Sequence, residues 1–178
     1  MEEQNEQTEK VTTRSAGIRY GLMMSVLSIA FFVIMNVAGL DMQGPVGYLG
    51  WAITAAMLFL AHKYYKEQGD GFMTIGQGTG IGFWAGTVSS IISSIFTYVY
   101  IKFIDDSFLQ AIKDKQIESM QERGMSDEQI EQAMQFAGAF SSPEAIFGFG
   151  IVFGIIAGVI IGLLVALITK KNNPDLEV

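Results

Sequence analysis

Four stretches of the chain contain no charged side chain; Asp41 alone separates the first two, and longer polar segments separate the others. These stretches cover residues 20–40, 42–61, 71–101 and 145–169. A helix rises about 1.5 Å per residue, so about 20 residues cross the roughly 30 Å of hydrocarbon in a bilayer. The short apolar and polar alternation of membrane β-barrels does not occur in them. The pattern predicts an all-α, polytopic membrane protein with four transmembrane helices, at about 18–40, 46–64, 76–103 and 144–169.

The segment between the third and fourth spans, residues 105–142, is polar on average but has a helical pattern. Gly124 suits the end of one helix, and Ser126 with Gln129 forms a capping box for a second. Apolar residues share one face of this second helix, opposite acidic and amide residues. They are Ile130, Ala133, Met134, Phe136, Ala137 and Phe140. We expect an amphipathic helical hairpin between helices three and four.

Lysine and arginine residues are unevenly divided between the two sides of the predicted bundle. One side carries Lys10, Arg14, Arg19, Lys63, Lys66, Lys170 and Lys171, and the other carries Lys102, Lys113, Lys115 and Arg123. The positive-inside rule therefore predicts that both termini face the cytoplasm. Residues 14–169 then form the transmembrane domain, with a disordered cytoplasmic tail at 1–13, an extracytoplasmic helical segment at 105–142 and a second cytoplasmic tail at 170–178.

Small residues recur at every fourth position in the third and fourth spans. The series are Gly78, Gly82, Gly86, Ser90 and Ser94 in the third span, and Gly150, Gly154, Gly158, Gly162 and Ala166 in the fourth. Inside a bilayer, such ridges let two helix backbones approach closely and gain van der Waals contact. We expect spans three and four to pack on each other or, as the alternative, on a second copy of the chain.

Composition narrows the chemistry that the protein can perform. Only 16% of the residues are charged, against about a quarter in typical soluble proteins. The chain has no cysteine, which excludes disulfides and thiolate metal sites, and its net charge of −7 disfavours nucleic-acid binding. His62 is the single histidine, and we interpret it as an interfacial anchor at a helix end. We expect no enzymatic activity, no metal site and no cofactor.

The predicted spans contain amide and hydroxyl groups but almost no ionisable ones. Ion-coupled pumps generally keep an acidic, basic or histidine residue within their spans, so this mechanism is disfavoured. Hydroxyl side chains occur at positions 54, 87, 89, 90, 93, 94 and 97. We expect most of them to bond to their own helix or to a neighbouring one. Asn36 and Gln77 are the candidates for a polar site.

Several segments together resemble one family of bacterial membrane proteins. They are Gly76-Gln77 at the start of the third span, residues 89–94, 98–105 and 107–109, and residues 123–131 before the glycine-rich last span. In combination they resemble the family catalogued as domain of unknown function 4199, over nearly the whole chain after the first dozen residues. The resemblance implies the four-span topology and a location in the bacterial inner membrane, and it carries no activity.

Two functions remain open from the sequence. The favoured one is an accessory or scaffolding subunit that binds a protein partner, or a second copy of the chain, through its glycine ridges and its acidic hairpin. The alternative is a small carrier or lipid-handling protein, in which the hairpin and the polar residues of spans one and three line a path. A membrane enzyme ranks third, because no nucleophile, base and orienting group occur together. Membrane lipid is an expected partner in each case.

Overall fold

The computed structural model describes residues 11–42, 44–138 and 140–174. Within these residues the chain forms six α-helices: α1 Thr13–Val37, α2 Tyr48–Gln68, α3 Ile75–Phe103, α4 Ser107–Glu122, α5 Asp127–Gly138 and α6 Pro143–Thr169. A 3-10 turn, Pro45–Gly47, leads directly into α2. Most of the two predicted tails, at residues 1–10 and 175–178, lies outside the described residues.

Four of these helices are long and apolar enough to cross a membrane. They are Thr13–Val37, Pro45–Gln68 with its leading turn, Ile75–Phe103 and Pro143–Thr169. Large apolar side chains remain exposed along their outer surfaces, where lipid is the natural solvent. The fold prediction is confirmed: the protein is an all-α, multi-pass membrane protein with α4 and α5 between the third and fourth spans.

Local capping signals determine where the spans begin. Thr12 caps α1 and Thr74 caps α3, each through a capping box with the third residue of its helix. Consequently α1 begins several residues before the predicted start at 18. Lys171 also forms a two-bond β-bridge with Met73, with N···O distances of 2.9 and 3.0 Å. Thr12 and Lys171 belong to the two predicted tails, at residues 1–13 and 170–178, but both take part in ordered structure.

The central helix of the bundle is α3, which packs against α1 on one side and α6 on the other. Early in both helices, a Cβ atom added to Gly21 of α1 would meet the backbone of Ala85 in α3. Late in both helices, the Phe32 and Tyr100 rings are 5.4 Å apart. These contacts show that α1 and α3 run parallel. In contrast, α6 is antiparallel to α3, because Gly78 near the start of α3 faces Ala166 and Ser94 farther along α3 faces Gly150.

The bundle therefore has two distinct ends. We call the end where α1 and α3 begin the terminal end, and the opposite end, which carries α4 and α5, the hairpin end. Two clusters of buried apolar side chains fill the terminal half. One consists of Met24, Met57, Leu58, Ala85 and Val165, and the other of Ala16, Ala61, Met73 and Ile81.

The segment between α3 and α6 forms the expected pair of helices. Gly124 lies between α4 and α5 with φ of +74°, a left-handed conformation that glycine adopts without strain. Ser126 and Gln129 form the predicted capping bonds, at 2.9 and 3.4 Å. The apolar face is divided, however, because Ile130 is only 8% exposed whereas Phe136 is 74% exposed. The aromatic part of this face thus lies on the surface of the protein.

Candidate functional site

A cavity of about 300 Å³, partly open to the surface of the bundle, is bordered by α1, α2, α3 and α6. Its lining is rich in hydroxyl groups: Ser28 from α1, Thr54 from α2, and Ser89, Ser90, Ser93, Ser94 and Thr97 from α3. On the α6 side the lining consists mainly of glycine and alanine, so that the backbone itself approaches the space. Among the described residues that line it there is no acidic, basic or histidine side chain. The cavity is therefore uncharged, and its hydroxyl groups are set in a lining that is otherwise mainly apolar.

Two of the seven hydroxyl groups are bonded within their own helices. Thr54 donates to the carbonyl of Gly50 at 2.9 Å, and Ser90 donates to the carbonyl of Thr87 at 3.1 Å. The other five form no hydrogen bond with any described protein group, and they are Ser28, Ser89, Ser93, Ser94 and Thr97. Helical serine and threonine side chains commonly bond to a carbonyl of the preceding turn. The five unpaired hydroxyls around this cavity do not follow that bonding pattern.

Three of these unpaired hydroxyls are buried, whereas Ser28 and Thr97 are half-buried. Ser89 and Ser94 are only 7% and 8% exposed, and the Ser93 hydroxyl oxygen is buried without a partner. A buried hydroxyl that lacks a hydrogen bond costs about 1–3 kcal/mol by mutational measures. Water or a polar ligand in the cavity would supply the missing bonds. The arrangement consequently favours an occupied cavity.

The cavity is closed toward the terminal end. Met24 lines it and also belongs to the first apolar cluster, which fills the bundle immediately beyond. In the other direction the lining continues to Thr97 near the end of α3 and to Ile146 near the start of α6. The cavity therefore occupies the hairpin half of the bundle.

His62 closes the terminal end further by joining three helices. It is fully buried, with Nδ1 2.8 Å from the Thr169 hydroxyl and Nε2 3.0 Å from the carbonyl oxygen of Gly78. Because a carbonyl only accepts, Nε2 carries a proton and donates it. Lys66 adds a bond to the Thr169 carbonyl at 2.7 Å. The interpretation of His62 as an interfacial anchor is wrong, since its side chain bonds inside the bundle.

Asn36 lies at the hairpin end, in a network that links α1 to α3 and to the start of α4. Its amide donates to the Tyr100 hydroxyl at 3.0 Å and to the Asp105 carboxylate at 3.1 Å. Hydrogen bonds from Ser107, and then from Asn36, hold the pKa of the Asp105 carboxyl below its ordinary value. Asn36 also borders a separate cavity of about 340 Å³ beside α4.

Gln77 lies at the opposite end of the bundle. Its side chain accepts a bond from the backbone N–H of Thr74 at 2.7 Å, and its own N–H donates to the Thr74 hydroxyl at 3.2 Å. At about 1.5 Å per residue, Gln77 is roughly 35 Å from the level of Tyr100 in the same helix. The structure does not bring Asn36 and Gln77 together, and neither residue lines the hydroxyl-rich cavity.

The two series of small residues face one another between α3 and α6. Along the interface Gly78 meets Ala166, Gly82 meets Gly158 and Gly162, Gly86 meets Gly154 and Gly158, Ser90 meets Gly154, and Ser94 meets Gly150. A Cβ atom at Gly158 would lie 2.6 Å from the Gly82 carbonyl oxygen and 2.7 Å from the Gly86 Cα. Because those atoms are backbone, they have no rotamer by which to move aside. The facing surfaces of both ridges are therefore occupied within one chain.

The match to known proteins covers the whole bundle. The family model described as Protein of unknown function (DUF4199) matches residues 19–171. The chain belongs to this family. The matched range includes all of α2 to α6 and most of α1, and hence both the cavity and the His62 junction of this DUF4199 chain. No curated protein and no solved structure matches it.

Six of the seven cavity hydroxyls of the DUF4199 chain are evident as polar positions of its spans, and most are expected to be bonded. That expectation holds for Thr54, Thr87 and Ser90, which bond within their own helices. It fails for Ser89, Ser93, Ser94 and Thr97, whose hydroxyls form no hydrogen bond with a described protein group. The missed signal was their arrangement, because serines spaced three, four and five residues apart fall on one face of α3. The contribution of Ser28 depends on how α1 packs, which the sequence of α1 alone does not reveal.

Proposed function

We propose that the protein is a small carrier that takes a polar solute or lipid headgroup into its transmembrane bundle. The cavity with its five unpaired hydroxyl groups is the observation that supports this role. The glycine ridges, which first favoured a scaffolding role, face each other within the chain. They consequently lend less support to an interaction with a second protein.

The two ends of the bundle differ in a way that suits a carrier. Toward the terminal end, the apolar clusters and the His62 bonds to Gly78 and Thr169 close the path. Toward the hairpin end, hydroxyl groups continue up to Thr97. We infer that this conformation admits solute from the hairpin end, and that release on the other side requires the His62 junction to open.

The location and orientation form part of the same proposal. We place the protein in the bacterial inner membrane with both termini in the cytoplasm, because the terminal end carries the larger share of lysine and arginine. The hairpin of α4 and α5 is then extracytoplasmic. In this orientation the solute enters the cavity from the extracytoplasmic side of the membrane.

Uptake by liposomes that contain the purified protein tests the carrier role. Radiolabelled sorbitol, glycine and lactate serve as a neutral, a zwitterionic and an anionic probe. We expect at least one to enter faster than into protein-free liposomes, and Ser93→Leu, which fills the cavity, to reduce that rate at least tenfold. Thr87→Leu is the matched control, since its hydroxyl bonds to Phe83 outside the cavity. Rates equal to those of protein-free liposomes for all three probes would contradict the proposal.

An accessory role remains the second candidate because of one specific surface. Phe136 and Phe140 are 74% and 52% exposed, and their rings lie 5.4 Å apart. Replacing Phe136 with a photoreactive benzoylphenylalanine in cells tests whether a protein covers this surface. Crosslinks to one recurrent protein would support an accessory subunit, whereas crosslinks only to lipid would leave the carrier as the better account. Ile130 is unsuitable for the probe because it is buried.

A further inference from the structure

The charge of the cavity lining restricts what it can bind. No described residue that lines the cavity is ionisable, and the nearest turns of α3 and α6 contribute hydroxyls, glycine backbone and apolar side chains. An ion that left water for this space would lose several kcal/mol of hydration with no opposite charge to replace it. The cavity is consequently a poor site for a carboxylate, a phosphate or an ammonium group.

The hydroxyl groups of the lining favour uncharged ligands that form hydrogen bonds. Each one can both donate and accept a hydrogen bond, so a cluster of them complements a partner that also does both. Ser28 on α1 and the four unpaired hydroxyls on α3 border the same space. Because a liquid water occupies about 30 Å³, a cavity of about 300 Å³ has room for a ligand with on the order of ten non-hydrogen atoms.

We infer that the cavity binds an uncharged, hydroxyl-rich group. This inference rests on the proposed carrier function and adds the class of its ligand. The same chemistry occurs in a free polyol or sugar and in the headgroup of a neutral glycolipid. Bound in the cavity, such a group would bridge Ser28 on α1 to Ser89 and Ser94 on α3 and give these hydroxyls the partners that the protein does not supply.

Thiol labelling tests the inference directly, because the chain has no cysteine of its own. Ser93→Cys introduces a single thiol of nearly the same size into the cavity lining. Its rate of reaction with neutral methyl methanethiosulfonate is compared with its rates with the sulfonate and trimethylammonium reagents of the same series. Glu128→Cys, on an exposed position of α5, is the matched control that corrects for the intrinsic reactivity of each reagent.

We expect the neutral-to-charged rate ratio for Ser93→Cys to exceed that for Glu128→Cys at least a hundredfold. Equal ratios would overturn the inference but leave the carrier function standing, since the cavity would then admit charged solutes. Because the Ser93 hydroxyl oxygen is buried, Ser28→Cys serves as a second labelling position in the lining. If no reagent reacts with either variant while Glu128→Cys is labelled, the cavity is inaccessible, and both the inference and the carrier function are overturned.

Protection of the same thiol separates the two sources of the ligand. Sorbitol added to the Ser93→Cys protein is expected to slow its reaction with methyl methanethiosulfonate at least threefold if the ligand is a free polyol. A galactosyl diacylglycerol in the detergent micelle is expected to do so if the ligand is a headgroup. Protection by sodium lactate, or by none of the three compounds, would overturn the assignment to a neutral hydroxyl-rich group.

Discussion

Single glycine residues set the distance between the two most closely packed helices. Gly82 and Gly86 on α3 face Gly158 on α6, so that backbone meets backbone. In lipid, where no hydrophobic force drives helices together, this close contact supplies the van der Waals attraction that joins them. Two turns farther along α3, the same face carries Ser94 instead of glycine. Ser94 continues the ridge by contacting Gly150 of α6, and its hydroxyl also lines the cavity.

Substitution of Gly158 with alanine is expected to destabilise the protein. The new Cβ atom would lie 2.6 Å from the Gly82 carbonyl oxygen and 2.7 Å from the Gly86 Cα, and this overpacking costs about 1–3 kcal/mol. Gly148→Ala is the control in the same helix, because no described atom lies within 4 Å of the added Cβ. Alanine there should be neutral or stabilising by up to about 1 kcal/mol.

Unfolding by sodium dodecyl sulfate, followed by circular dichroism in mixed micelles, measures both variants. A free energy of unfolding for Gly158→Ala that equals or exceeds that of the unaltered protein would show that α3 and α6 are less closely packed than described.

Among the helices, α3 has the most varied role. Its first half packs against α1 and α6, its middle and later turns line the cavity, and its last turn joins the network around Asn36. The carbonyl of Gly78 in its first turns also accepts the bond from His62. As a result, α3 contributes residues to the closed terminal end, to the cavity and to the network at the hairpin end.

Removal of the Thr169 hydroxyl is expected to weaken the junction at the terminal end. Thr169→Val leaves His62 Nδ1 without its partner at 2.8 Å and should lower the free energy of unfolding by roughly 1 kcal/mol. Thr87→Val removes a hydroxyl that bonds only to Phe83 of its own helix, and should change it by less than about 0.5 kcal/mol.

The same unfolding titration applies to both threonine variants. Equal losses of stability for Thr169→Val and Thr87→Val would mean that the contact between α2 and α6 contributes nothing specific. A larger loss for Thr169→Val would identify the junction as one of the contacts that keep the terminal end closed.

At the scale of the whole molecule, the bundle is asymmetric across the membrane. The terminal end is filled by apolar clusters and closed by hydrogen bonds, whereas the hairpin end carries the cavity, the Asn36 network and the helices α4 and α5. An ion pair between Asp41 and Lys115 connects the loop after α1 to α4. Under the proposed carrier function, this asymmetry makes the orientation important, because a solute would reach the cavity from the hairpin end.

The orientation is tested by single thiols at the two ends. Glu67→Cys lies at the end of α2, near the terminal end, and Glu128→Cys lies in α5, and neither changes a lysine or arginine. In spheroplasts, we expect an impermeant maleimide to label Glu128→Cys and to leave Glu67→Cys unlabelled until the membrane is disrupted. The reverse pattern would place both termini outside the cytoplasm.

The sequence by itself determined the elements of this protein. Length, hydropathy and capping residues are local properties, so the four spans, the capping box at Ser126 and the turn at Gly124 were readable without the fold. The partners of each side chain were not, because they depend on how helices distant in the chain meet. Only the tertiary structure separated Asn36 from Gln77, buried His62 between α3 and α6, and gathered five unpaired hydroxyl groups around one cavity. A hydroxyl in a sequence has several possible partners, and packing alone decides whether any of them comes within reach.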